Sequence, residues 1–111
     1  MTRFGLDEKL VEKITNVLRG FGKVERAVIF GSRATGNYKN YSDIDIAVFA
    51  PDMSFEEYLA IRAALDDLPI IFTVDAVHYE GLGAETMKSR IIREGVEIYR
   101  RSAGNAIFVS R

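Results

Sequence analysis

The spacing of apolar residues along this chain changes several times between the period of a helix and that of a strand. Residues 7–19 carry apolar side chains at helical spacing and end at Gly20, which predicts an amphipathic helix. Residues 24–30 end in a continuous apolar run, typical of a strand covered on both faces. Residues 43–49 alternate, which predicts a strand with two different faces. One face carries Ile44, Ile46 and Val48, and the other face carries Asp43, Asp45 and Ala47.

The second half of the chain continues to alternate between helices and strands. Ser54 and Glu57 have the spacing of a capping box, which predicts a helix that runs to about Asp67. The remaining predicted elements are a strand over residues 70–77, a helix over residues 83–94 that ends at Gly95, and a short strand over residues 96–99. The side chains expected to face inward from the last helix are those of Met87, Ile91 and Ile92.

This order of elements predicts an α+β fold, an α/β two-layer arrangement in which helices pack against a small sheet. A chain of 111 residues, of which 48% are hydrophobic, is expected to form one domain over residues 1–111, with a core spanning about 6–100. Residues 101–111 form a tail whose role the pattern does not assign. Within it, residues 106–109 fit either an edge strand or a surface for a partner.

The composition excludes several kinds of chemistry. There is no cysteine, which excludes disulfides and thiolate zinc sites and is compatible with the cytoplasmic location that we expect. The single histidine, His78, excludes a zinc site with two histidines, and no secretory signal or membrane helix is expected. A net charge of −1 predicts no stable binding to nucleic acid. The basic residues near the C-terminus, expected to be mainly solvated, are Lys88, Arg90, Arg93, Arg100 and Arg101.

A Gly-Ser pair directly follows the first predicted strand and is the first candidate for chemistry. Gly31 allows the backbone to come close to a ligand, and a helix that begins at Ser32 would present its free amides to a phosphate. Arg33 either adds positive charge to such a site or is a solvated loop residue. Tyr38 and Tyr41 either stack a base at its entrance or serve as packing residues.

Three aspartates form the second candidate. Asp43 and Asp45 share one strand face, and two carboxylates so close are stabilised by a cation such as Mg²⁺. The alternative is a solvated strand face, which is the commoner role of an isolated Asp-x-Asp. Asp75 lies in an otherwise apolar strand and reaches the same site if that strand lies beside residues 43–49; otherwise it caps a turn.

The combined pattern is more specific than its parts. A Gly-Ser pair, ten residues and Asp-x-Asp occur together by chance in roughly one in a thousand chains of this length. The segments Gly31-Ser32-Arg33-Ala34-Thr35-Gly36 and Ser42-Asp43-Ile44-Asp45-Ile46-Ala47-Val48 resemble the signature of the minimal nucleotidyltransferases. These are the small single-domain branch of the DNA polymerase beta-like superfamily. The resemblance implies the nucleotidyltransferase fold, with a small mixed sheet of about four strands.

The resemblance also implies a reaction. Family members transfer a nucleoside monophosphate from a nucleoside triphosphate, here expected to be ATP, to a hydroxyl with the help of two Mg²⁺ ions. By similarity, Gly31 and Ser32 hold the β- and γ-phosphates, with Arg33 as a third candidate for nucleotide binding. Asp43, Asp45 and Asp75 are the implied catalytic and metal-binding residues, and Asp75 completes the metal site nearer the attacking hydroxyl.

Small members of this kind resemble antitoxins that act on a helical toxin, the higher eukaryotes and prokaryotes nucleotide-binding (HEPN) protein. The resemblance implies that they adenylylate a tyrosine of that partner. Two alternatives stay open: a non-catalytic module that inhibits its partner by occlusion, and a nucleotidyltransferase acting on a small molecule or an RNA end. The sequence leaves the oligomeric state open, including a homo-oligomer.

Overall fold

The computed structural model describes residues 2–102 and contains one sheet of four strands with helices on both of its faces. The four helices are α1 (Glu8–Arg19), α2 (Ser32–Thr35), α3 (Phe55–Asp66) and α4 (Glu85–Glu94). The strands are β1 (Thr2–Arg3), β2 (Leu6–Asp7), β3 (Arg26–Phe30), β4 (Ile44–Phe49), β5 (Val74–His78) and β6 (Val96–Arg100). A single 3₁₀ turn, Tyr79–Gly81, follows β5.

The sheet has the strand order β5-β4-β3-β6 and contains both kinds of pairing. Strand β3 pairs antiparallel with β4 and with β6, whereas β4 pairs parallel with β5. The parallel pair is possible because α3 connects β4 to β5 and brings the chain back to the same end of the sheet. The prediction of an α+β fold with a small mixed sheet of four strands is therefore confirmed.

Each face of the sheet is covered by helices and has its own group of buried side chains. Helices α1 and α3 cover the first face, and Ile14 and Ile61 pack there with Ile46 of β4. Helix α4 covers the second face through Ile91, which packs with Phe30. The continuous apolar run that ends at Phe30 is thus covered on both faces, as its sequence predicts.

Two helix ends agree with the local sequence. Asp7 accepts a hydrogen bond from the amide of Lys9 at the start of α1. The capping box at α3 is present, since the Ser54 hydroxyl accepts from the Glu57 amide and the Glu57 carboxylate accepts from the Ser54 amide. Each cap satisfies amides that would otherwise lack a partner at the first turn.

Three features differ from the sequence-based expectations. Strand β5 begins at Val74 rather than at residue 70, because pairing with β4 begins there, and Ile71 is 95% exposed. Ile92 is 58% exposed rather than inward, since Ile91 takes the position that faces the sheet. An unpredicted hairpin, β1–β2, turns through Phe4 and Gly5, both at positive φ. The expectation for residues 106–109 lies outside the described residues.

None of the helices in residues 2–102 is long and apolar enough to span a bilayer.

Candidate active site

The register of three neighbouring strands brings the candidate residues to one end of the sheet. Phe30, which precedes Gly31, pairs with Asp45 across the β3–β4 ladder. Asp45 in turn pairs with Asp75 across the β4–β5 ladder. Neighbouring strands lie about 4.8 Å apart, so Phe30 and Asp75 flank Asp45 on its two sides although 45 positions separate them in the chain. The condition for Asp75 to reach the same site, that its strand lies beside β4, is met.

Gly31 adopts a backbone conformation that is essentially restricted to glycine. Its φ is 78° and its ψ is −153°. A Cβ atom at this position would lie 2.7 Å from Oδ2 of Asp45, closer than real Cβ contacts. Glycine at this position therefore permits both the turn out of β3 and the close approach of the Asp45 carboxylate.

Ser32 opens the short helix α2, as the sequence predicts. The amides of Ala34 and Thr35 donate to the Gly31 carbonyl, and these are the first hydrogen bonds within the helix. The amides of Ser32 and Arg33 precede them and are available for an external acceptor. The backbone donors of Ser32 and Arg33 therefore directly follow Gly31, the residue that the Asp45 carboxylate approaches.

The carboxylates repel one another. Asp45 is half-buried, whereas Asp43 and Asp75 are exposed. Burial raises the pKa of Asp45 above its ordinary value, the charges of Asp75 and Asp43 raise it further, and the charge of Arg90 opposes them. A bound cation would relieve this repulsion.

The donor set fits Mg²⁺ held together with a substrate. No group of three or more His, Cys, Asp or Glu side chains within residues 2–102 is gathered closely enough to hold a metal ion by itself. Mg²⁺ usually takes one or two carboxylates and completes its shell with water and substrate phosphates. Asp43, Asp45 and Asp75 carry oxygen atoms of this kind at the same end of the sheet as the Gly31-Ser32 turn.

Arg33 has neither of the two roles considered from the sequence. It is only 2% exposed, and its guanidinium donates to backbone carbonyl groups rather than reaching the carboxylates. The acceptors are the carbonyl oxygens of Ser42 at 3.0 Å, Phe4 at 2.9 Å, Lys39 at 3.5 Å and Asn40 at 3.3 Å. The guanidinium also lies 5.0 Å from the ring centre of Tyr38 and 4.9 Å from that of Phe72. Arg33 therefore stabilises residues 39–42, the loop that precedes Asp43, through hydrogen bonds to its backbone.

We expect Arg33→Lys to destabilise the fold by about 2 kcal/mol, because one ammonium cannot replace a guanidinium that serves four carbonyl oxygens. Thermal unfolding should show a Tm lower by roughly 10 °C. Arg93→Lys is the matched control, since Arg93 is exposed on α4. Equal Tm values for the two variants would contradict the role of Arg33 in holding the loop before Asp43.

Three further residues from the sequence have different positions. The Tyr38 ring packs against Arg33, consistent with the packing role. Tyr41 is 78% exposed, so its role in base stacking stays a prediction. Nε2 of His78 lies 2.8 Å from the Ala50 carbonyl oxygen and its ring stacks near Tyr58, which makes His78 a packing residue.

Two residues of α4 reach the site although sequence reasoning did not assign them to it. Oε1 of Glu94 accepts from the Gly31 amide at 3.3 Å and from Nε of Arg90 at 3.2 Å. Nη2 of Arg90 lies 3.6 Å from the point that a Cβ on Gly31 would occupy, close to the Asp45 carboxylate. No local pattern marks these residues, because only the packing of α4 on the second face of the sheet brings them to Gly31.

Comparison with known proteins agrees with this geometry. Residues 12–104 match the family model described as polymerase beta, nucleotidyltransferase. No curated protein sequence matches the chain.

Several solved structures have the same fold. A chain of a toxin–antitoxin complex with AMP-PNP is 26% identical, with a TM-score of 0.62, covering 88% of this chain and 79% of that one. A chain of the toxin–antitoxin MntA–HepT is 23% identical, with a TM-score of 0.58 and coverage of 92% and 80%. A complex of tri-AMPylated Shewanella oneidensis HEPN toxin with MNT antitoxin gives 23% identity, a TM-score of 0.58 and coverage of 91% and 78%.

The match to the family model spans most of the chain and includes the Gly31-Ser32 turn and all three aspartates. With the fold and the strand register, it identifies this chain as a member of the polymerase beta nucleotidyltransferase family.

Proposed function

We propose that this protein transfers AMP from ATP to a tyrosine hydroxyl of a HEPN-type toxin, in a reaction that depends on Mg²⁺, and so acts as an antitoxin. The observation that carries the proposal is the strand register, which sets Asp45 beside both Asp75 and the residue preceding Gly31. This juxtaposition supplies carboxylate ligands and backbone phosphate donors at one end of the sheet. Both are required for phosphoryl chemistry with a divalent cation.

Each residue has a distinct task in the proposed reaction. At the Gly31-Ser32 turn, the amides of Ser32 and Arg33 and the Ser32 hydroxyl bind the β- and γ-phosphates of ATP. Asp43, Asp45 and Asp75 would hold the metal ions, which would neutralise the phosphate charge. Asp75 accepts the proton from the attacking hydroxyl. The acceptor oxygen bonds to the α-phosphorus as the bond to the β-phosphate oxygen breaks, and pyrophosphate leaves.

The choice of nucleotide and acceptor is supported by two similar structures. One toxin–antitoxin complex was crystallised with AMP-PNP, an ATP analogue. In another, the HEPN toxin is AMPylated and bound to an MNT antitoxin. We carry over both properties to this chain as part of the proposal, because the chain shares their fold and keeps the carboxylates in register.

The proposal is tested by incubating the protein with Mg²⁺, ATP labelled at the α-phosphate and a candidate HEPN-type partner. We expect label on the partner, with none when the acceptor tyrosine is replaced by phenylalanine. The Asp43→Asn/Asp45→Asn double variant should transfer no label. Absence of transfer by the wild type to its genuine partner would overturn the proposal. Partner inhibition that survives in the double variant would show that occlusion, not transfer, is sufficient.

A further inference from the structure

The guanidinium of Arg90 lies at the end of the sheet where Gly31 meets the Asp45 carboxylate. It comes from α4, which packs on the sheet face that also carries Asp45, beside Ala47 and Phe49. The guanidinium carbon lies 5.8 Å from the ring centre of Phe30, the residue paired with Asp45. Arg90 thus forms one wall of the candidate site.

Glu94 fixes the direction of this guanidinium. One carboxylate oxygen of Glu94 accepts both from Nε of Arg90 and from the amide of Gly31. With Nε held, the Nη groups face Gly31, where Nη2 lies 3.6 Å from the Cβ position that glycine leaves empty. Oδ2 of Asp45 lies 2.7 Å from the same point. The positive group and the Asp45 carboxylate therefore both lie next to the turn that would bind phosphates.

Its neighbours on α4 do not share this position. The Lys88 ammonium lies 5.2 Å from the ring centre of Tyr79, beyond the end of β5. Arg93 is exposed among Glu85, Thr86 and Ser89. The Arg90 side chain keeps 44% of its surface accessible, so it can rotate toward a bound ligand without unpacking the core. Among the basic residues of α4, only Arg90 combines proximity to Asp45 with access to solvent.

We propose that Arg90 is a second phosphate-binding group of this site. Its positive charge balances that of Asp45 when no metal ion is bound. When metal ions neutralise the Asp45 carboxylate instead, Arg90 contacts the triphosphate. The inference rests on the proposed function, since it names a further residue for the same reaction. A guanidinium presents paired donors to phosphate oxygens, and its charge repels a metal cation at the carboxylates. One substitution should therefore change metal affinity and triphosphate affinity in opposite directions.

The test compares Arg90→Gln with Arg93→Gln, which makes the same charge change on the same helix. Binding of Mn²⁺ alone is measured by electron paramagnetic resonance. We expect Arg90→Gln to bind Mn²⁺ about tenfold more tightly, because a nearby positive charge has been removed. Binding of AMP-PNP with Mg²⁺ is measured by calorimetry and should weaken roughly tenfold to a hundredfold. Arg93→Gln should change neither affinity by more than about twofold.

Each other outcome overturns the inference. Weaker binding of both ligands in Arg90→Gln would show a structural role for Arg90, and unchanged binding of both would show no role. Tighter Mn²⁺ binding with unchanged AMP-PNP binding would show that Arg90 does not contact the phosphates. Arg90→Lys, which keeps the charge, should restore the Mn²⁺ affinity of the wild type; failure to do so would contradict the electrostatic cause. If the wild type binds Mn²⁺ but not AMP-PNP, the proposed function fails and the phosphate contact of Arg90 fails with it, whereas AMP-PNP binding by the wild type that Arg90→Gln leaves unchanged overturns the inference alone.

Discussion

Replacing Asp45 with asparagine will abolish nucleotidyl transfer and at the same time stabilise the folded protein at neutral pH. Asp45 is the central carboxylate, paired with Asp75 across one ladder and next to Gly31 across the other. The amide keeps the shape of the side chain but lacks the negative charge that holds a metal ion. We expect transfer to fall by at least about a thousandfold, equivalent to about 4 kcal/mol in the activation free energy.

The stabilisation follows from the raised pKa of Asp45. Burial and the charges of Asp75 and Asp43 disfavour the ionised form in the folded state, so the folded state binds the proton more tightly than the unfolded chain does. Between the ordinary pKa and the raised one, the folded state holds more protons, and the free energy of unfolding therefore falls as pH rises. Above the raised pKa the full penalty is present. Asparagine carries no charge and removes it.

Thermal unfolding of the wild type and of Asp45→Asn at pH 7 and at pH 4, without added metal, measures this effect. The variant should have the higher Tm at pH 7, and the difference should shrink at pH 4. Asp52→Asn is the matched control, because Asp52 is exposed in the turn after β4, at the opposite end of that strand from Asp45. A lower Tm for Asp45→Asn at pH 7, or transfer activity within tenfold of the wild type, would contradict the assignment.

Gly31→Ala is expected to remove activity by displacing the same carboxylate. The new Cβ would lie 2.7 Å from Oδ2 of Asp45, and the backbone would keep a φ of 78° that alanine rarely adopts. Such a conformation costs about 1–3 kcal/mol, so the Tm should fall by roughly 5–20 °C. Because Asp45 must move away from the turn, we also expect transfer to fall by at least about a hundredfold.

Gly36 supplies a control that separates backbone strain from steric overlap with the Asp45 carboxylate. It also has a positive φ, 88°, but a Cβ there would meet no atom within 4 Å. Gly36→Ala should therefore lower the Tm by a similar amount while nucleotidyl transfer by the folded protein stays within about threefold of the wild type. If both variants lose activity equally, backbone strain and not the contact with Asp45 is responsible. If Gly31→Ala has the same Tm as the wild type, the close approach of the Asp45 carboxylate to Gly31 is contradicted.

Local pattern was sufficient for features that depend only on residues close together in the chain. The capping box of Ser54 and Glu57 forms as predicted, because both partners are three residues apart and need no distant contact. The alternation in residues 43–49 correctly predicts the strand and its faces: Ile46 packs under α1 and α3, and Ala47 lies on the face toward α4. Gly31-Ser32 likewise begins a short helix directly after a strand.

Other positions depend on contacts that sequence spacing does not contain. The start of β5 is set by pairing with Ile44, so the apolar residues before Val74 do not join the strand. Arg33 looks like a loop residue next to a phosphate-binding turn, yet its guanidinium donates to backbone carbonyl groups from two separate parts of the chain, Phe4 and residues 39–42. A charged residue takes a buried position when its hydrogen bonds are all satisfied, and only the fold brings those acceptors together.

The sequence by itself determined the alternation of elements, the two candidate motifs and the family resemblance, because each rests on residues close together in the chain. Only the tertiary structure decided that Asp45 and Asp75 share a ladder, that Gly31 must leave room for Asp45, and that Arg90 and Glu94 of α4 reach the same end of the sheet. The physical reason is that strand register and helix packing are settled by burial of the whole core, whereas spacing along the chain reports only the face on which each side chain lies.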